Sequence, residues 1–451
     1  MKLLNRTKRP IGIDLFSGAG GMSLGFEQAG FDVKAAVEID PIHCAIHAFN
    51  FPECAIIPKS VVGLSANEIR KRAGITYNEK ISVVFGGPPC QGFSMMGKRS
   101  LDDPRNRLVL EFVRLVAELK ADYFVFENVK GITVGSQRRF LEEIIQAFRD
   151  FGYEVREPWH VLDAADYGVP QHRERLILIG ARKNLELPPY PERKCIPADD
   201  ARLKCDLPMG PTCAEAIGGL PDVERFEELN YSDEVNAGFW VEKSFYAKEM
   251  RCESPSAWHY GYRRHFDSTL LTSSNRTEHT DISRRRFSET VPGDVEPISR
   301  FFRLPPSGLS NTLRAGTDQA RGAFTSPRPI HFRHNRCVTV REMARLHGFP
   351  DWFRFHVTKW HGGRQIGNAV APPVARVIAS EIIKAAGFRP QKPRRVINLV
   401  NPELLRMEMS AAARYFDIVV PIAKRDKHSG MHKRKQIEIE QTRLEALEVY
   451  A

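Results

Sequence analysis

The sequence predicts an α/β protein, with a Rossmann-like, mainly parallel sheet and a smaller irregular domain. Over the first 181 residues, short apolar runs alternate with amphipathic segments, a pattern typical of strands and helices in turn. Glycine-rich or polar turns end several of these runs. The alternation stops after residue 181, where proline, cysteine, charged residues and isolated aromatics take its place. These observations indicate a layered α/β region followed by a second region without regular alternation of strands and helices.

Each predicted element has its own signal in the sequence. Apolar runs rich in β-branched or aromatic residues predict strands at 11–16, 33–39, 81–85, 123–127 and 175–180. Apolar residues at helical spacing predict helices at 22–29, 108–119 and 138–151. Further helices are predicted just after Thr339, at 370–386, where two prolines occupy the first turns, and at 436–449.

The chain divides into four predicted segments. Residues 1–181 form the α/β domain, and residues 182–305, which lack sustained periodicity, form a second domain. Residues 306–388 regain periodicity and complete the first domain. Residues 389–451 begin with a linker rich in proline and arginine and continue as an extension whose role the sequence does not indicate.

The composition favours a soluble, intracellular protein. No stretch approaches the roughly 18 apolar residues that a membrane helix needs. The basic N-terminus lacks the apolar region of a secretory signal. The eight cysteines include no C-x-x-C pair, so we predict neither a disulfide framework nor a metal site.

The charge favours a polyanionic partner. The net charge is +11, and the stretch 281–345 holds 12 Arg, no Lys and 6 acidic residues. Because guanidinium groups make paired contacts with phosphates and with guanine, this stretch suggests nucleic-acid binding. A solvated arginine-rich surface explains the same composition equally well.

A glycine-rich turn, DLFSGAGG at 14–21, follows the first strand and opens the first helix. Backbone N–H groups in such a turn can close around a ligand. Glu38 ends the next strand, where a carboxylate can accept both ribose hydroxyls of an adenosine. Because Ser23 stands where a dinucleotide fingerprint has its third glycine, a single nucleoside fits better than NAD. A tight turn without a ligand, or another enzyme with an adenosine cofactor, is also compatible with this motif.

Cys90 lies in a rigid turn, GGPPCQGFS at 86–94, directly after a buried strand. Ligands bind at the carboxyl ends of strands in open parallel sheets, so this position favours a reactive thiol over a buried one. Glu127 ends the next strand, and QHRER at 171–175 can place arginines at the same edge. A thiol, a carboxylate and a guanidinium together suit nucleophilic addition to a polarised ring. Each residue alone is also common as a structural anchor.

Seven segments, in family order, make the sequence resemble the DNA (cytosine-5) methyltransferases of prokaryotic restriction–modification systems. They are DLFSGAGG, EID, GGPPCQGFS, ENV, QHRER, RCVTVREMARLHGFPD and QIGNAVAPP, spread over residues 11–375. Any one could arise by chance, but seven in order do not. The resemblance implies transfer of a methyl group from S-adenosylmethionine to C5 of a flipped-out cytosine within a specific duplex DNA sequence. The product of the cofactor is S-adenosylhomocysteine.

The resemblance also implies the catalytic residues. Cys90 matches the nucleophile that adds to C6 of the cytosine, and Glu127 matches the carboxylate that binds the N3 and amino edge. Arg173 and Arg175 match the arginines of the QxRxR motif, and Arg175 is expected nearest to the cytosine O2. The covalent step divides one hard reaction into two easier ones. The base must first leave the helix, because it cannot be reached from both faces within the stack.

A set of residues is implied to bind the cofactor. Phe16 is expected to pack on the adenine, and Glu38 to hold the ribose. The full set is Phe16, Ser17, Gly18, Ala19, Gly20, Gly21, Glu38, Ile39, Ser60, Val61, Pro88, Asn368 and Ala369. The family usually has an Asp where this chain has Ser60, so we expect a looser clamp on the adenine amino group.

By the same resemblance, residues 182–305 are the target-recognition domain, and 91–107 is a loop that closes over duplex DNA. The predicted DNA-binding residues are Ser94, Lys98, Arg99, Arg105, Arg107, Arg284, Arg285 and Arg286. The last three are expected to neutralise phosphates, so that binding weakens with salt. A surface loop with a solvated charge run is the alternative for 91–107.

The implied role is the protective partner of a restriction endonuclease that acts on the same site without binding the enzyme. We expect a monomer in the prokaryotic cytoplasm, associated with the nucleoid and not with a membrane. A solitary or phage-borne enzyme is the alternative role. The alternative functions are RNA methylation and DNA binding by an inactive catalytic fold. The large domain at 182–305 argues against RNA methylation. Intact Cys90, Glu127 and Arg175 argue against an inactive catalytic fold.

Overall fold

The computed structural model describes residues 9–89, 106–135, 137–200, 206–316, 328–399 and 401–420. Its strands are Ile11–Leu15 (β1), Asp32–Val37 (β2), Ala55–Ile57 (β3), Ile81–Gly86 (β4), Tyr123–Val129 (β5), Tyr153–Val155 (β6), His160–Asp163 (β7), Glu174–Arg182 (β8), Val235–Asn236 (β9), Arg263–His265 (β10), Leu270–Leu271 (β11) and Val396–Asn398 (β12). Its helices are Gly21–Ala29 (α1), Pro41–Asn50 (α2), Ala66–Arg72 (α3), Arg107–Glu118 (α4), Gln137–Asp150 (α5), Cys213–Ile217 (α6), Phe245–Met250 (α7), Asp281–Glu289 (α8), Val340–Leu346 (α9), Lys359–Asn368 (α10), Pro372–Ala385 (α11) and Met409–Tyr415 (α12).

One sheet organises the fold, with strand order β3-β2-β1-β4-β5-β8-β6 and with β7 also paired to β8. Strands β1 to β5 run parallel to one another. Strand β8 runs antiparallel to β5, β6 and β7. The predicted α/β class with a mainly parallel sheet is therefore confirmed. The antiparallel β8 brings its first residues to the edge where the parallel strands end.

Two hydrophobic cores cover the two faces of this sheet. Val84 and Phe124 face one core, while Val83, Phe85 and Val125 face the other. Successive side chains of a strand point to opposite faces. Helices on both faces bury them, which explains why the strands read as nearly continuous apolar runs in the sequence.

A third core joins distant parts of the chain. Cys213 and Trp258, from the segment predicted as a second domain, share it with Leu24 of α1 and with Leu346 and Trp352. Within the same segment, Arg264 forms a buried ion pair with Glu27 of α1. The segment 182–305 is thus attached to the α/β layers by shared packing. Its boundaries as a domain stay a prediction.

The C-terminal extension is part of this packing as far as residue 420. Strand β12 pairs in parallel with β10. Leu404 and Leu405 pack with Ala45, Ile46 and Phe49 of α2. The extension therefore connects the second segment to the α/β layers. The helix predicted at 436–449 lies outside the described residues.

One helical stretch of the described chain, Lys359–Ala385, is long and apolar enough for a membrane span by composition. Its most apolar window is 67% buried inside the protein. The stretch consists of α10 and α11, separated at 369–371. Helix α11 packs against α1, where the backbone at Gly25 meets Pro372 and Ala375. A stretch that is mostly buried inside the protein in this way is typical of a core helix.

Candidate active site

The carboxyl ends of β1, β2, β4 and β5 meet at a cavity of about 440 Å³. Ligands of open α/β sheets bind at this edge. Eleven of the predicted cofactor residues line the cavity: Phe16, Ser17, Gly18, Ala19, Gly21, Glu38, Ile39, Ser60, Val61, Asn368 and Ala369. The cavity therefore joins the glycine-rich turn with residues more than 300 positions later in the chain.

The glycine-rich turn is fixed to the end of β2 through Glu38. The Gly18 N–H donates to Glu38 Oε2 at 2.8 Å, and the Ile39 and Asp40 N–H groups donate to Glu38 Oε1 at 2.9 Å. Gly18 and Gly20 adopt φ of 53° and 102°, which favours glycine. The carboxylate is held in place before any ligand binds, and Oε2 keeps acceptor capacity for a hydroxyl.

Gly20 and Pro88, both predicted as cofactor residues, are not among the described residues that line the cavity. The backbone of Gly20 packs against Phe51 and His47, away from the cavity. A Cβ at Gly20 would lie 2.5 Å from the Phe51 ring and 3.0 Å from the His47 ring. The Pro88 carbonyl accepts a hydrogen bond from Asn128 Nδ2 at 3.0 Å. Both residues shape the backbone around the cavity without forming its wall.

Glu127 and Arg175 form an ion pair at the edge of the same cavity. Arg175 Nε lies 2.9 Å from Glu127 Oε1, and both side chains are largely buried. Burial raises the pKa of Glu127 above its usual range, although Arg175 and Arg173 oppose the shift. The backbone of Gly87 lies so close to Glu127 Oε2 that a Cβ would collide with it. The arrangement presents a carboxyl that binds a proton more readily than an exposed one.

Arg173 has different contacts from Arg175. Its side chain is buried, Nη1 donates to the Leu313 carbonyl at 3.0 Å, and Nη2 donates to the carbonyls of Gly367 at 2.8 Å and Ala369 at 2.9 Å. The sequence prediction grouped Arg173 with the catalytic residues. In the structure its donors bind backbone around the cavity, and its catalytic role stays a prediction.

His172, between the motif residues Gln171 and Arg173, is bound by two carboxylates. Its Nδ1 lies 2.7 Å from Asp163 Oδ2, and its Nε2 lies 3.0 Å from Asp199 Oδ2. The hydrogen bond to Asp163, followed by the charges of both aspartates, raises the pKa of His172 to about 9. The imidazole is therefore protonated at neutral pH and links β7 to the segment that follows β8.

Cys90 lies outside the described residues, as do Ser94, Lys98, Arg99 and Arg105. The turn that leads to Cys90 is described as far as Pro89, which lines the cavity. Asn128, next to Glu127, holds this turn through the Pro88 carbonyl. The predicted role of Cys90 thus stays a prediction, supported by the position of the turn.

The family model for C-5 cytosine-specific DNA methylase matches residues 12–384. The chain belongs to this family. The methylase is 55% identical over 411 residues to the Type II methyltransferase M.XorII of Xanthomonas oryzae pv. oryzae, covering 91% of this chain and 93% of the relative. It is 34% identical over 378 residues to the Type II methyltransferase M1.HphI of Haemophilus parahaemolyticus, covering 82% and 86%. It is an enzyme, a DNA (cytosine-5-)-methyltransferase.

Solved structures agree with this family. A DNA modification methyltransferase encoded within an Escherichia coli prophage matches with a TM-score of 0.66 and 34% identity, covering 84% of the methylase and 99% of that chain. The Schizosaccharomyces pombe Dnmt2 methyltransferase matches with a TM-score of 0.50 and 17% identity, covering 84% and 100%. The second match shows the shared fold alone.

The predicted DNA-binding arginines of the methylase differ in exposure. Arg107 begins α4 and is exposed, with Glu111 one turn later at 3.8 Å. Arg284 is ion-paired with Glu224, and Arg286 is directed inward toward Glu296 at 3.5 Å. Arg285 is the exposed member of this triplet. Adjacent helical residues point in different directions, so three consecutive arginines cannot share one face.

Many arginines between 281 and 345 serve the interior of the protein. Among the eleven of these arginines that the structure describes, five are buried: Arg303, Arg328, Arg336, Arg341 and Arg345. Arg336 binds both oxygens of Glu342, and Arg345 binds Glu242 and Asp351. The composition of this stretch therefore reflects buried ionic networks as well as surface charge.

Sequence reasoning missed several residues that line the cavity, among them Asp14, His43, Lys59, Leu108 and Arg364. Asp14 accepts a hydrogen bond from Ser23 Oγ at 2.7 Å, and burial raises the pKa of Asp14 to about 8. The Asp-Pro pair at 40–41 is a helix-start signal that predicts α2 and so the position of His43. No local sequence pattern indicates that Leu108 or Arg364 lines the cavity, because tertiary contacts bring both residues there.

Proposed function

We propose that the enzyme transfers a methyl group from S-adenosylmethionine to C5 of a flipped-out cytosine in a specific duplex DNA sequence. The reaction proceeds through a transient covalent bond between the Cys90 sulfur and cytosine C6. The observation that carries this proposal is the Glu127–Arg175 pair, whose Glu127 lines the cavity beside Gly87 of the turn leading to Cys90.

The cavity suits a nucleoside that carries an amino acid. Its volume of about 440 Å³ lies within the range of small-molecule sites, about 300–1,000 Å³. Phe16, Ile39, Val61 and Leu108 supply apolar walls for a base, and Glu38 supplies an acceptor for ribose hydroxyls. When bound, S-adenosylmethionine supplies an electrophilic methyl group.

The side chains around the cavity have separate roles in the reaction. The Cys90 thiolate adds to C6, which raises the electron density at C5. A proton on the Glu127 carboxyl donates to N3 and offsets the charge that develops there, which the raised pKa of Glu127 favours. Arg175 holds Glu127 in position. After methylation, loss of the C5 proton to solvent restores the C5–C6 double bond and expels the Cys90 sulfur as a thiolate, and N3 returns its proton to Glu127.

A mechanism-based trap tests the covalent step. DNA with 5-fluorocytosine at the target position should form a complex with the wild-type enzyme that survives denaturation, because fluorine cannot leave C5 as a cation. The variant Cys90→Ser should form no such complex yet still bind DNA. A complex of undiminished yield with Cys90→Ser would overturn the assignment of the nucleophile. Transfer RNA in place of duplex DNA should give no methylation, and the reverse result would favour RNA as substrate.

We further propose that the enzyme is the protective methylase of a Type II restriction–modification system, acting as a cytoplasmic monomer apart from its endonuclease. The proposal rests on the similarity to M.XorII, named as a Type II methyltransferase. Residues 182–305 would read the DNA sequence, with Arg107 and Arg285 at phosphates. Bisulfite sequencing of DNA from cells that express the enzyme should show one methylated sequence. Scattered methylation without a common sequence would contradict this role.

A further inference from the structure

A buried histidine joins the QHRER motif to the wall of the cofactor cavity. His347 directly follows α9 and is fully buried. Its Nδ1 lies 3.0 Å from Gln171 Nε2, and its Nε2 lies 3.0 Å from the Ala369 carbonyl oxygen. The imidazole therefore bridges two segments that lie almost 200 residues apart in the sequence.

The hydrogen-bond partners fix the tautomer of His347. The Leu313 N–H donates to Gln171 Oε1 at 3.0 Å, so the other end of this amide is its nitrogen, which can only donate. His347 Nδ1 must then accept from Gln171, and His347 Nε2 must carry the proton that it donates to Ala369. Burial and the nearby Arg173 hold the pKa of His347 well below its usual range, so the ring is neutral, as this pattern requires.

The Ala369 carbonyl receives a second donor. Arg173 Nη2 lies 2.9 Å from it and 2.8 Å from the Gly367 carbonyl. Gln171 Nε2 also donates to the Leu346 carbonyl at 3.2 Å. His347 and Arg173 thus bind the backbone at 367–369, and Gln171 orients His347. We call these three residues the latch.

The backbone held by the latch forms part of the cavity. Asn368 and Ala369 line it, and Ala369 lies against Gly21 of the glycine-rich turn, where a Cβ would approach Ala369 Cβ to 3.0 Å. Two residues after Arg173, Arg175 holds Glu127. A shift of the latch would therefore move the cofactor wall relative to the base-binding pair.

We propose that His347 is a positioning residue that, through the latch, sets the shape of the cofactor cavity and hence the affinity for the cofactor. The inference rests on the proposed use of S-adenosylmethionine. His347 contacts the backbone of the cavity wall and acts through it.

Binding of S-adenosylhomocysteine, measured by isothermal titration calorimetry, tests the latch without requiring turnover. His347→Leu removes both hydrogen bonds at similar volume and should raise the Kd about tenfold, the effect of one or two hydrogen bonds. The kcat at saturating cofactor should change less than KM. His347→Gln can place an amide N–H near the position of Nε2 and should return the Kd to within about threefold of wild type.

His331→Leu is the matched control. His331 is also buried, its Nδ1 accepts from the N–H groups of Arg333 and His334, and it is not among the described residues that line the cavity. This variant should lose stability but keep the wild-type Kd. Should His347→Leu fail to fold, His347→Asn, which loses the donor to Ala369, should show the raised Kd instead.

An unchanged Kd in folded His347→Leu or His347→Asn would overturn the inference and leave His347 a purely structural residue. Equal rises of Kd in His347→Leu and His331→Leu would overturn it as well, since an overall loss of protein stability would then explain both results. Absence of binding by the wild-type enzyme would overturn the proposed cofactor, and this inference with it.

Discussion

Replacement of Gly21 by Ala tests whether the cofactor cavity depends on close contact between the glycine-rich turn and the returning chain. A Cβ at this position would lie under 3.0 Å from the Val370 carbonyl oxygen and 3.3 Å from Phe349 Cζ. Because the first neighbour is backbone, α1 and residues 369–370 must separate by several tenths of an ångström. The substitution therefore perturbs the cavity wall without removing any polar group.

The size of the effect follows from three contributions. Overpacking of a close contact costs about 1–3 kcal/mol. Alanine recovers up to about 1 kcal/mol relative to glycine in a helix. The net loss of stability should be about 1–2 kcal/mol. A separation of several tenths of an ångström weakens the contacts between this wall and a bound ligand, and a loss of about 1.4 kcal/mol there would raise the Kd for S-adenosylhomocysteine about tenfold.

Gly25→Ala is the matched control. Its Cβ would meet Ala375 Cβ at 2.5 Å and the Pro372 carbonyl oxygen at 2.6 Å, so it lies in the same helix, α1, but faces α11 and is outside the described lining of the cavity. Urea unfolding should show lower stability for both variants, while calorimetry should show weaker binding for Gly21→Ala alone. Wild-type affinity in folded Gly21→Ala, or equal weakening in both variants, would refute the reasoning.

Three further predictions concern other parts of the enzyme. Arg345→Met leaves the buried Glu242 carboxylate without its cation and Asp351 with Arg341 alone, at 3.8 Å, and should lower the free energy of unfolding by about 3–5 kcal/mol in urea. A loss below about 1 kcal/mol would contradict this. The folded pKa of His172, about 9, exceeds its usual 6.5, so its contribution to stability is complete below about pH 6.5 and disappears as the pH rises through 9. His172→Gln should therefore flatten the fall in Tm between pH 6.5 and 9.5, and an unchanged slope would argue against the ion pairs. Ser60→Asp should lower the Kd for S-adenosylhomocysteine about three- to tenfold by giving the adenine amino group a charged acceptor, and no gain would count against the looser clamp.

The sequence predicts those parts of the site that depend on local patterns. The glycine-rich turn, Glu38 and Glu127 each lie at or near the end of an apolar run, and strand ends of a parallel sheet converge. Their shared location follows from the fold class alone. Arg364, by contrast, reaches the cavity through packing of α10, which no spacing in the sequence specifies.

The amino-acid composition also does not predict in which direction an individual arginine side chain points. Arg173 and Arg175 belong to one motif, yet one binds backbone carbonyls and the other binds Glu127. Arg285 is exposed, whereas Arg345 is fully buried with two carboxylates. Counting guanidinium groups measures charge, but burial and partners are set by tertiary contacts between segments distant in sequence.

The antiparallel course of β8 has a consequence for how such an enzyme can change its specificity. This strand begins at Glu174, carries Arg175 beside Glu127, and ends with Arg182 at the opposite end of the parallel strands, roughly 23 Å from Arg175. The polypeptide enters residues 182–305, the segment proposed to read DNA, from that far margin, after Glu127 and Arg175 have been placed. Changes in the proposed recognition segment therefore fall downstream of Arg182 and leave the sequence of β5 and β8 unchanged.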